Sequence, residues 1–238
     1  ITKTKNSYLL LPTDKKNRDE YVVAEDALNG AESGHIVLAE IGDKQKGRIR
    51  QKSARVIDIL GHESDPKIIS LISANEQGLS DKFPEAVIKA TEPLGVPDLG
   101  KREDLRDIPL VTIDGADAKD FDDAVYAEAL DDGGFHLIVA IADVAFYVRS
   151  DDVIDEEAIK RGNSTYFPDR VIPMLPERLS NDLCSLRPNE PRACLAAHMW
   201  IDEHGNLKKY KFVRGLMESK ARLTYEQVQA AKDGIQDD

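Results

Sequence analysis

The chain has 238 residues, of which 41% are hydrophobic and 32% are charged, so it can bury one large core or two modest ones. No apolar run approaches the roughly 20 residues of a transmembrane helix, the first residues do not resemble a secretion signal, and two cysteines are too few for a disulfide framework, so we expect a cytoplasmic protein without membrane contact. The net charge of −12 disfavours a nucleic-acid partner at first, but residues 101–160 alone hold 17 acidic and 6 basic side chains, which gives −11 and needs a local explanation.

The first 80 residues contain short apolar and β-branched runs separated by turn-like segments. About five short strands in such a length predict a small β-barrel of the OB-fold type over residues 1–78. The predicted strands cover residues 7–11, 20–23, 35–41, 46–60 and 65–74.

Basic side chains alternate along the fourth predicted strand, at Lys46, Arg48, Arg50 and Lys52. Positions two apart share one face of an extended strand, so these four cations can form a basic stripe that binds a phosphate backbone. A solvated edge strand protected by charge explains the same pattern. The residues alone do not decide between the two interpretations.

Residues 79–98 predict a short helix followed by a linker. The helix covers residues 79–92, with Ser80 as its N-cap and Pro84 near its start, and Pro93 and Pro97 end it. A second domain, of the α+β class, is predicted over residues 99–238.

The second domain begins with three strand-like runs, of which the first ends in a carboxylate and the last two are joined by the turn DDGG. A helix, a hairpin through EHGN and a final helix follow, and Thr224 with Gln227 forms a capping box at the start of the final helix. The strands cover residues 107–114, 122–130 and 135–148, the first helix 151–162, the hairpin strands 194–202 and 208–219, and the final helix 223–234.

Five aspartates fall within ten residues between two apolar runs, at Asp114, Asp117, Asp120, Asp122 and Asp123. Carboxylates packed this tightly repel one another, so they favour a cation, and hard oxygen ligands without nearby His or Cys favour Mg²⁺ or Mn²⁺ over zinc. Such a site is typical of phosphoryl transfer. Three other interpretations remain: an acidic surface loop, a structural Ca²⁺ loop that lacks the EF-hand pattern, and an Asp-rich turn in which Asp117 caps the backbone.

The segment TIDGADAKDFDDAV, residues 112–125, resembles the signature T-I-D-x-x-x-A-x-D-x-D-D-A of the ribonuclease II/ribonuclease R (RNB) exoribonuclease family. The similarity continues in IADVAFYV, in RGNSTYFPDRVIPMLPERLSNDLCSL and in ARLTYEQVQA, and the first domain resembles the family's second cold-shock domain. It covers essentially the whole chain, with several motifs in the right order. The resemblance implies an OB-fold followed by the N-terminal part of an RNB catalytic domain.

The resemblance also implies an activity: processive 3′→5′ hydrolysis of single-stranded RNA to nucleoside 5′-monophosphates with Mg²⁺, or Mn²⁺, as the metal. Asp114, Asp120, Asp122 and Asp123 match the family's four catalytic, metal-binding aspartates. Tyr166 matches its base-stacking aromatic residue, although the residues alone favour a half-buried Tyr beside Phe167 and Pro168. We expect a monomer that binds RNA.

Other residues of the similar segments favour structural roles. Leu175, Leu179, Leu183 and Leu186 have helical spacing and predict packing, Cys184 is a core residue, and His198 is a strand residue without a metal role.

The family pattern extends beyond the residues of this chain: its later part supplies an Arg near the scissile phosphate, a second stacking aromatic residue and an S1-type domain. Because the first residue is Ile and these parts are not in the sequence, we expect an internal fragment that has little activity alone. Two alternatives are kept: an RNA-binding or regulatory protein with an inactive nuclease-like domain, and an acidic loop that binds Ca²⁺ structurally.

Overall fold

The computed structural model describes residues 1–5, 7–42 and 52–235. Lys46, Arg48 and Arg50 lie outside these residues, so only Lys52 of the predicted basic stripe can be placed. Within the described ranges, no helix is long and apolar enough to cross a membrane. The chain forms two compact units, Ile1–Lys82 with Tyr166–Ile172 and Phe83–Thr165 with Pro173–Asp238.

The first unit is built on a five-stranded sheet. β3 pairs in parallel with β5, and the remaining neighbours pair antiparallel, which gives the order β1-β2-β3-β5-β4. Apolar residues of β3 and β5 fill a small core with the turn around Leu28. The strands are β1 (Thr2–Lys3), β2 (Tyr8–Leu10), β3 (Tyr21–Val23), β4 (His35–Ile41) and β5 (Lys52–His62), with a 3₁₀ turn at Glu25–Ala27.

The predicted strand over residues 65–74 is wrong, because this segment forms helix α1 (Ile68–Glu76). Ile68, Leu71 and Ala74 are its buried residues, and their spacing of three matches one face of a helix rather than one face of a strand. The Asp65 carboxylate accepts a hydrogen bond from Lys67 N–H at 2.9 Å and forms the turn that leads into the helix.

Helix α2 (Glu85–Thr91) begins the second unit and is shorter than the predicted 79–92. Its N-cap is Pro84, without a side-chain cap, whereas the Ser80 hydroxyl bonds the main chain of Lys82, so the prediction of Ser80 as N-cap is wrong. Val87 and Thr91 are buried, and Val87 belongs to the core cluster, so this helix contributes to the core of the second unit.

A sheet and two helices follow α2 in the second unit. Asp152 caps α4, because its carboxylate accepts hydrogen bonds from Ile154 and Asp155 N–H at 2.8 Å each, and Gly162 ends it with φ +75°. The elements are β6 (Glu103–Leu105), β7 (Val111–Asp114), β8 (Asp123–Ala129), β9 (Phe135–Ala142), α3 (Val144–Tyr147) and α4 (Val153–Arg161).

A small hairpin, β10 (Thr165–Tyr166) and β11 (Val171–Ile172), then contributes to the first unit. Arg170 donates to the Lys67 carbonyl at 3.0 Å, and Ser70 of α1 bonds Asp169, so the hairpin is tied to the start of α1.

The chain then returns to the second unit. β12 (Pro191–Ile201) and β13 (Leu207–Glu218) form the predicted hairpin, and β14 (Ala221–Thr224) leads directly into α5 (Tyr225–Lys232). Thr224 and Gln227 form the predicted capping box. The seven strands have the order β14-β7-β8-β9-β12-β13-β6, with the two edge pairs parallel.

One face of the seven-stranded sheet holds the core of the second unit. Ile138 and Ala140 of β9 and Ala196 of β12 pack with α2 and with a π-helical turn at Leu179–Leu183. In this sheet β7 and β8 lie side by side, and their connecting loop carries the clustered aspartates.

Candidate active site

The clustered aspartates lie at the ends of two adjacent strands. β7 ends at Asp114 and its antiparallel neighbour β8 begins at Asp123, so the two carboxylates flank one loop. We call residues 115–122 the aspartate loop. Asp122 is fixed through its main chain, since its carbonyl accepts a hydrogen bond from Ala142 N–H at 2.8 Å.

Electrostatics show that four of the five aspartates act on one another. Partial burial raises the pKa of Asp114, and the charges of Asp123, Asp122 and Asp120 raise it further. Asp122 is an exposed residue overall, yet desolvation of its carboxyl group and the charges of Asp123 and Asp120 also raise its pKa. Asp117 takes no part in either shift and lies in the turn closed by Ala118 N–H and the Gly115 carbonyl at 3.1 Å.

The Oδ2 atom of Asp114 is buried and has no hydrogen-bond partner in the protein. A buried, unpaired carboxylate oxygen beside three further carboxylates has the chemistry of an oxygen site for a hard divalent cation. Throughout the described part of the chain, however, no three His, Cys, Asp or Glu side chains already converge as a metal-binding group. The residues therefore fit Mg²⁺ or Mn²⁺ in the type of donor atom, without forming a coordination shell.

Arg222 of β14 holds the aspartate loop from one side. Its Nη2 group donates to the carbonyl oxygens of Ala116, of Gly115 at 3.3 Å and of Ala118 at 3.4 Å. Its guanidinium also lies over the ring of Phe121, 4.8 Å from the centroid. β14 runs parallel to β7 with Thr224 opposite Asp114, which brings Arg222 to this loop.

Ser185 holds the same loop from inside the domain. Its hydroxyl, on a residue that is fully buried, donates to the Lys119 carbonyl at 2.9 Å and accepts from Phe121 N–H at 3.2 Å. The buried guanidinium of Arg192 in turn donates to the Ser185 carbonyl at 2.9 Å. The main chain on both sides of Asp120 is therefore bonded to the core.

The two predicted RNA-binding residues that can be placed both belong to the first unit. Tyr166 is 66% exposed, in β10. Lys52 forms an ion pair with Asp19 and lies 5.7 Å from the centroid of the Tyr21 ring, and its hydrogen bond with Asp19 raises its pKa. Its ammonium is thus already partnered within the unit.

The residues expected to be structural lie where packing predicts. Leu179, Leu183 and Leu186 are buried, and Leu175 packs against the same core. Burial raises the pKa of the Cys184 thiol to about 12. His198 lies in β12, where its Nδ1 is 3.2 Å from Nε2 of His136.

Arg222 and Ser185 were not predicted to be functional from the sequence. Both fall inside segments of the family resemblance, ARLTYEQVQA and NDLCSL, but they are so far from the aspartates along the chain that their spacing carries no local signal. The helical spacing of the leucines around Ser185 indicates packing and carries no signal for a role of the Ser185 hydroxyl.

A model of the RNB domain matches residues 102–238, and a model of the cold shock domain matches residues 10–84. Ribonuclease R of Vibrio parahaemolyticus is 45% identical over 229 residues, which cover 94% of this chain and 27% of that protein. The chain therefore spans about a quarter of this relative's length.

Solved structures share the fold. Mycoplasma genitalium RNase R in complex with double-stranded RNA aligns with a TM-score of 0.78 and 31% identity, over 92% of this chain and 40% of that one. Yeast Ssd1, described as a pseudonuclease, aligns with a TM-score of 0.65 and 18% identity over 94% of this chain and 30% of that one, which shows the fold alone. The predicted architecture, an OB-type cold-shock domain followed by an α+β RNB region, is confirmed, and the chain belongs to the RNB family.

Proposed function

We propose that this protein is an exoribonuclease that hydrolyses single-stranded RNA processively from its 3′ end and releases nucleoside 5′-monophosphates, with Mg²⁺, or Mn²⁺, as its metal. The proposal concerns the complete protein, because the chain spans 27% of the V. parahaemolyticus relative. Family membership supports the reaction class, and the aspartate cluster supports the metal.

The observation that carries the proposal is the buried, unpartnered Oδ2 of Asp114 among Asp120, Asp122 and Asp123. An unsatisfied buried acceptor destabilises a fold by about 1–3 kcal/mol, and like-charge repulsion destabilises it further. A bound cation would offset both effects. We infer that these four carboxylates hold the metal.

Bound Mg²⁺ would supply Lewis-acid stabilisation of the phosphate oxygens and a water of lowered pKa. The chain's own contribution is positional. Asp114 and Asp123 are held by two adjacent strands, and the main chain of Asp122 is bonded to β9, so their carboxylates are fixed before substrate arrives.

The first unit supports a role for RNA. Its fold is that of the cold shock domain, and Tyr166 is an exposed aromatic residue of the kind that stacks on a base, a contact that tolerates every sequence because each base has a π-face. That a similar RNase R was solved with RNA bound is consistent with RNA as the ligand here.

The proposal is tested with the complete protein and 5′-labelled single-stranded RNA in MgCl₂. We expect the full-length label to pass to a short 5′-labelled end product with few intermediates, 5′-monophosphates by chromatography, and no reaction in EDTA. Asp122→Asn should lower the rate of RNA hydrolysis by more than about 100-fold. Removing a residue that only orients a metal ligand already lowers activity by about 10- to 100-fold, and Asp122 is proposed to bind the metal directly. Dilution into excess unlabelled RNA after the start tests processivity.

Asp117→Asn is the matched control, since it removes one charge from the same loop outside the four coupled carboxylates. It should retain the rate of the unchanged protein. RNA binding without Mg²⁺-dependent degradation would favour the alternative, an RNA-binding protein with an inactive nuclease domain. Full activity of Asp122→Asn would contradict the proposal and favour a structural Ca²⁺ site.

A further inference from the structure

The carbonyl oxygens of the aspartate loop converge on one side chain of a distant strand. Gly115, Ala116 and Ala118 all direct their carbonyls at Nη2 of Arg222, although β14 lies more than 100 residues further along the chain. Three carbonyls that face one point create a negative potential there, which a guanidinium neutralises while it donates hydrogen bonds.

The aromatic ring of Phe121 makes this contact more specific than a simple ion contact. Phe121 is buried, and the Arg222 guanidinium lies 4.8 Å from its ring centroid. A planar guanidinium combines stacking with hydrogen bonding, whereas the ammonium of a lysine is a point charge on a flexible stem. One side chain thus holds both the start and the end of the aspartate loop.

The aspartate loop needs such support because the charges of its carboxylates repel one another. The hydrogen bond that closes a turn inside the loop runs from Ala118 N–H to the Gly115 carbonyl. Asp120 and Asp122 follow that turn, and Ser185 and β9 anchor the second half of the loop. Arg222 holds the first half.

We propose that Arg222 is a positioning residue of the metal site: it fixes the main chain at 115–118 so that Asp114 and Asp120 reach a common divalent cation. The inference rests on the proposed function, because it assumes that the aspartates bind the metal. Arg222 does not touch substrate in this view, and it acts through the loop alone.

The inference separates metal affinity from RNA affinity. Removal of the Arg222 guanidinium should raise the Mg²⁺ concentration for half-maximal single-turnover cleavage by about 10- to 100-fold, the usual effect of removing a group that orients metal ligands. RNA binding measured in EDTA should stay within about twofold, because Arg222 is assigned to neither a base nor a phosphate.

The experiment compares Arg222→Met, Arg222→Lys and Lys220→Met in the complete protein. Lys220→Met is the matched control: it removes one positive charge just before β14 and affects only a surface ion pair with Glu218. Three readouts are taken: Mn²⁺ affinity by calorimetry, hydrogen exchange of the aspartate-loop amides in EDTA, and single-turnover cleavage against Mg²⁺.

We expect Arg222→Met to weaken Mn²⁺ binding and speed amide exchange at 116–121, Arg222→Lys to be intermediate, and Lys220→Met to match the unchanged protein. Unaltered Mn²⁺ affinity and exchange in Arg222→Met, or in Arg222→Lys where the Met variant does not fold, would overturn the inference. Failure of the proposed function would give a different result: Asp122→Asn would keep full activity, regardless of the results for the Arg222 variants.

Discussion

At the scale of single residues, Asp114 shows how a cluster of like charges conflicts with stability. Its Oδ2 is buried without a partner, and three neighbouring carboxylates raise its pKa in addition to burial. The cation that we propose for this site would turn an unfavourable interaction of the metal-free fold into a favourable one. Strain of this kind concentrates at functional sites, since the rest of the domain compensates for it.

We therefore predict that Asp114→Asn stabilises the metal-free protein while it removes activity. The substitution lowers the repulsion among the four carboxylates, and a gain of about 1 kcal/mol corresponds to a rise in Tm of about 2–4 °C. Calorimetric melting in EDTA measures it. Asp117→Asn, in the same loop, should leave Tm unchanged, and a lower Tm for Asp114→Asn would contradict the repulsion argument.

The aspartates were predictable from the sequence, whereas their supports were not. Five carboxylates within ten residues form a local pattern that physical chemistry can interpret. Arg222 and Ser185 act through contacts that depend on β14 lying beside β7 and on the turn after the π-helix, and neither neighbourhood is visible in the linear sequence.

At the scale of elements, the sequence predicted most strands and both capped helices, and it failed at α1 and at α3. The predicted strand over residues 135–148 ends at Ala142, and Val144–Tyr147 form a helix. Residues 65–74 are apolar enough for either structure, and β-branched isoleucines favoured a strand. The buried set Ile68, Leu71 and Ala74 has helical spacing, but the run is too short for this period to stand out.

A buried ion pair joins two elements that the sequence keeps far apart. Arg102, just before β6, places Nη2 2.9 Å from Oδ2 of Asp143, which precedes α3, and both side chains are almost fully buried. The contact is an ion pair rather than a well-directed hydrogen bond, since that oxygen lacks a hydrogen-bond partner. Arg102 also lies 4.9 Å from the Phe146 ring centroid.

We predict that Asp143→Ala destabilises the second unit by about 3–5 kcal/mol, because it leaves the Arg102 charge buried without its partner. Urea denaturation followed by fluorescence measures the change. Asp104→Ala is the control: its partner Arg106 is exposed, so the free energy of unfolding should hardly change. Equal effects of the two substitutions would show that burial does not govern this pair.

At the scale of the whole molecule, the negative charge is concentrated in one segment rather than spread evenly along the chain. Residues 101–160 hold −11 of the −12, and the four aspartates of the proposed site lie within them. The division into units is less simple than the predicted order of two consecutive domains, because Tyr166–Ile172 belongs to the first unit. Contacts such as the hydrogen bond from Arg170 to the Lys67 carbonyl, 103 residues away, hold this segment in the first unit, and no local sequence pattern predicts them.

The remaining prediction concerns RNA affinity, for which the net charge of −12 is a poor guide. Three of the four cations of the stripe, Lys46, Arg48 and Arg50, lie outside the described residues, so the stripe stays a prediction from the sequence. Replacing all three with Gln should weaken single-stranded RNA binding in EDTA. The slope of log K against log salt should become less steep by about 0.7 for each phosphate that the variant no longer neutralises.

A control with the same change of net charge decides whether location or total charge matters. Lys208, Lys220 and Lys232 of the second unit, replaced together by Gln, also lower the charge by three. If the stripe binds phosphate, only the first variant changes the slope, because counterion release depends on the phosphates neutralised rather than on net charge. Equal slopes for both variants would favour the alternative interpretation, in which the stripe is the solvated, charge-protected edge of a strand.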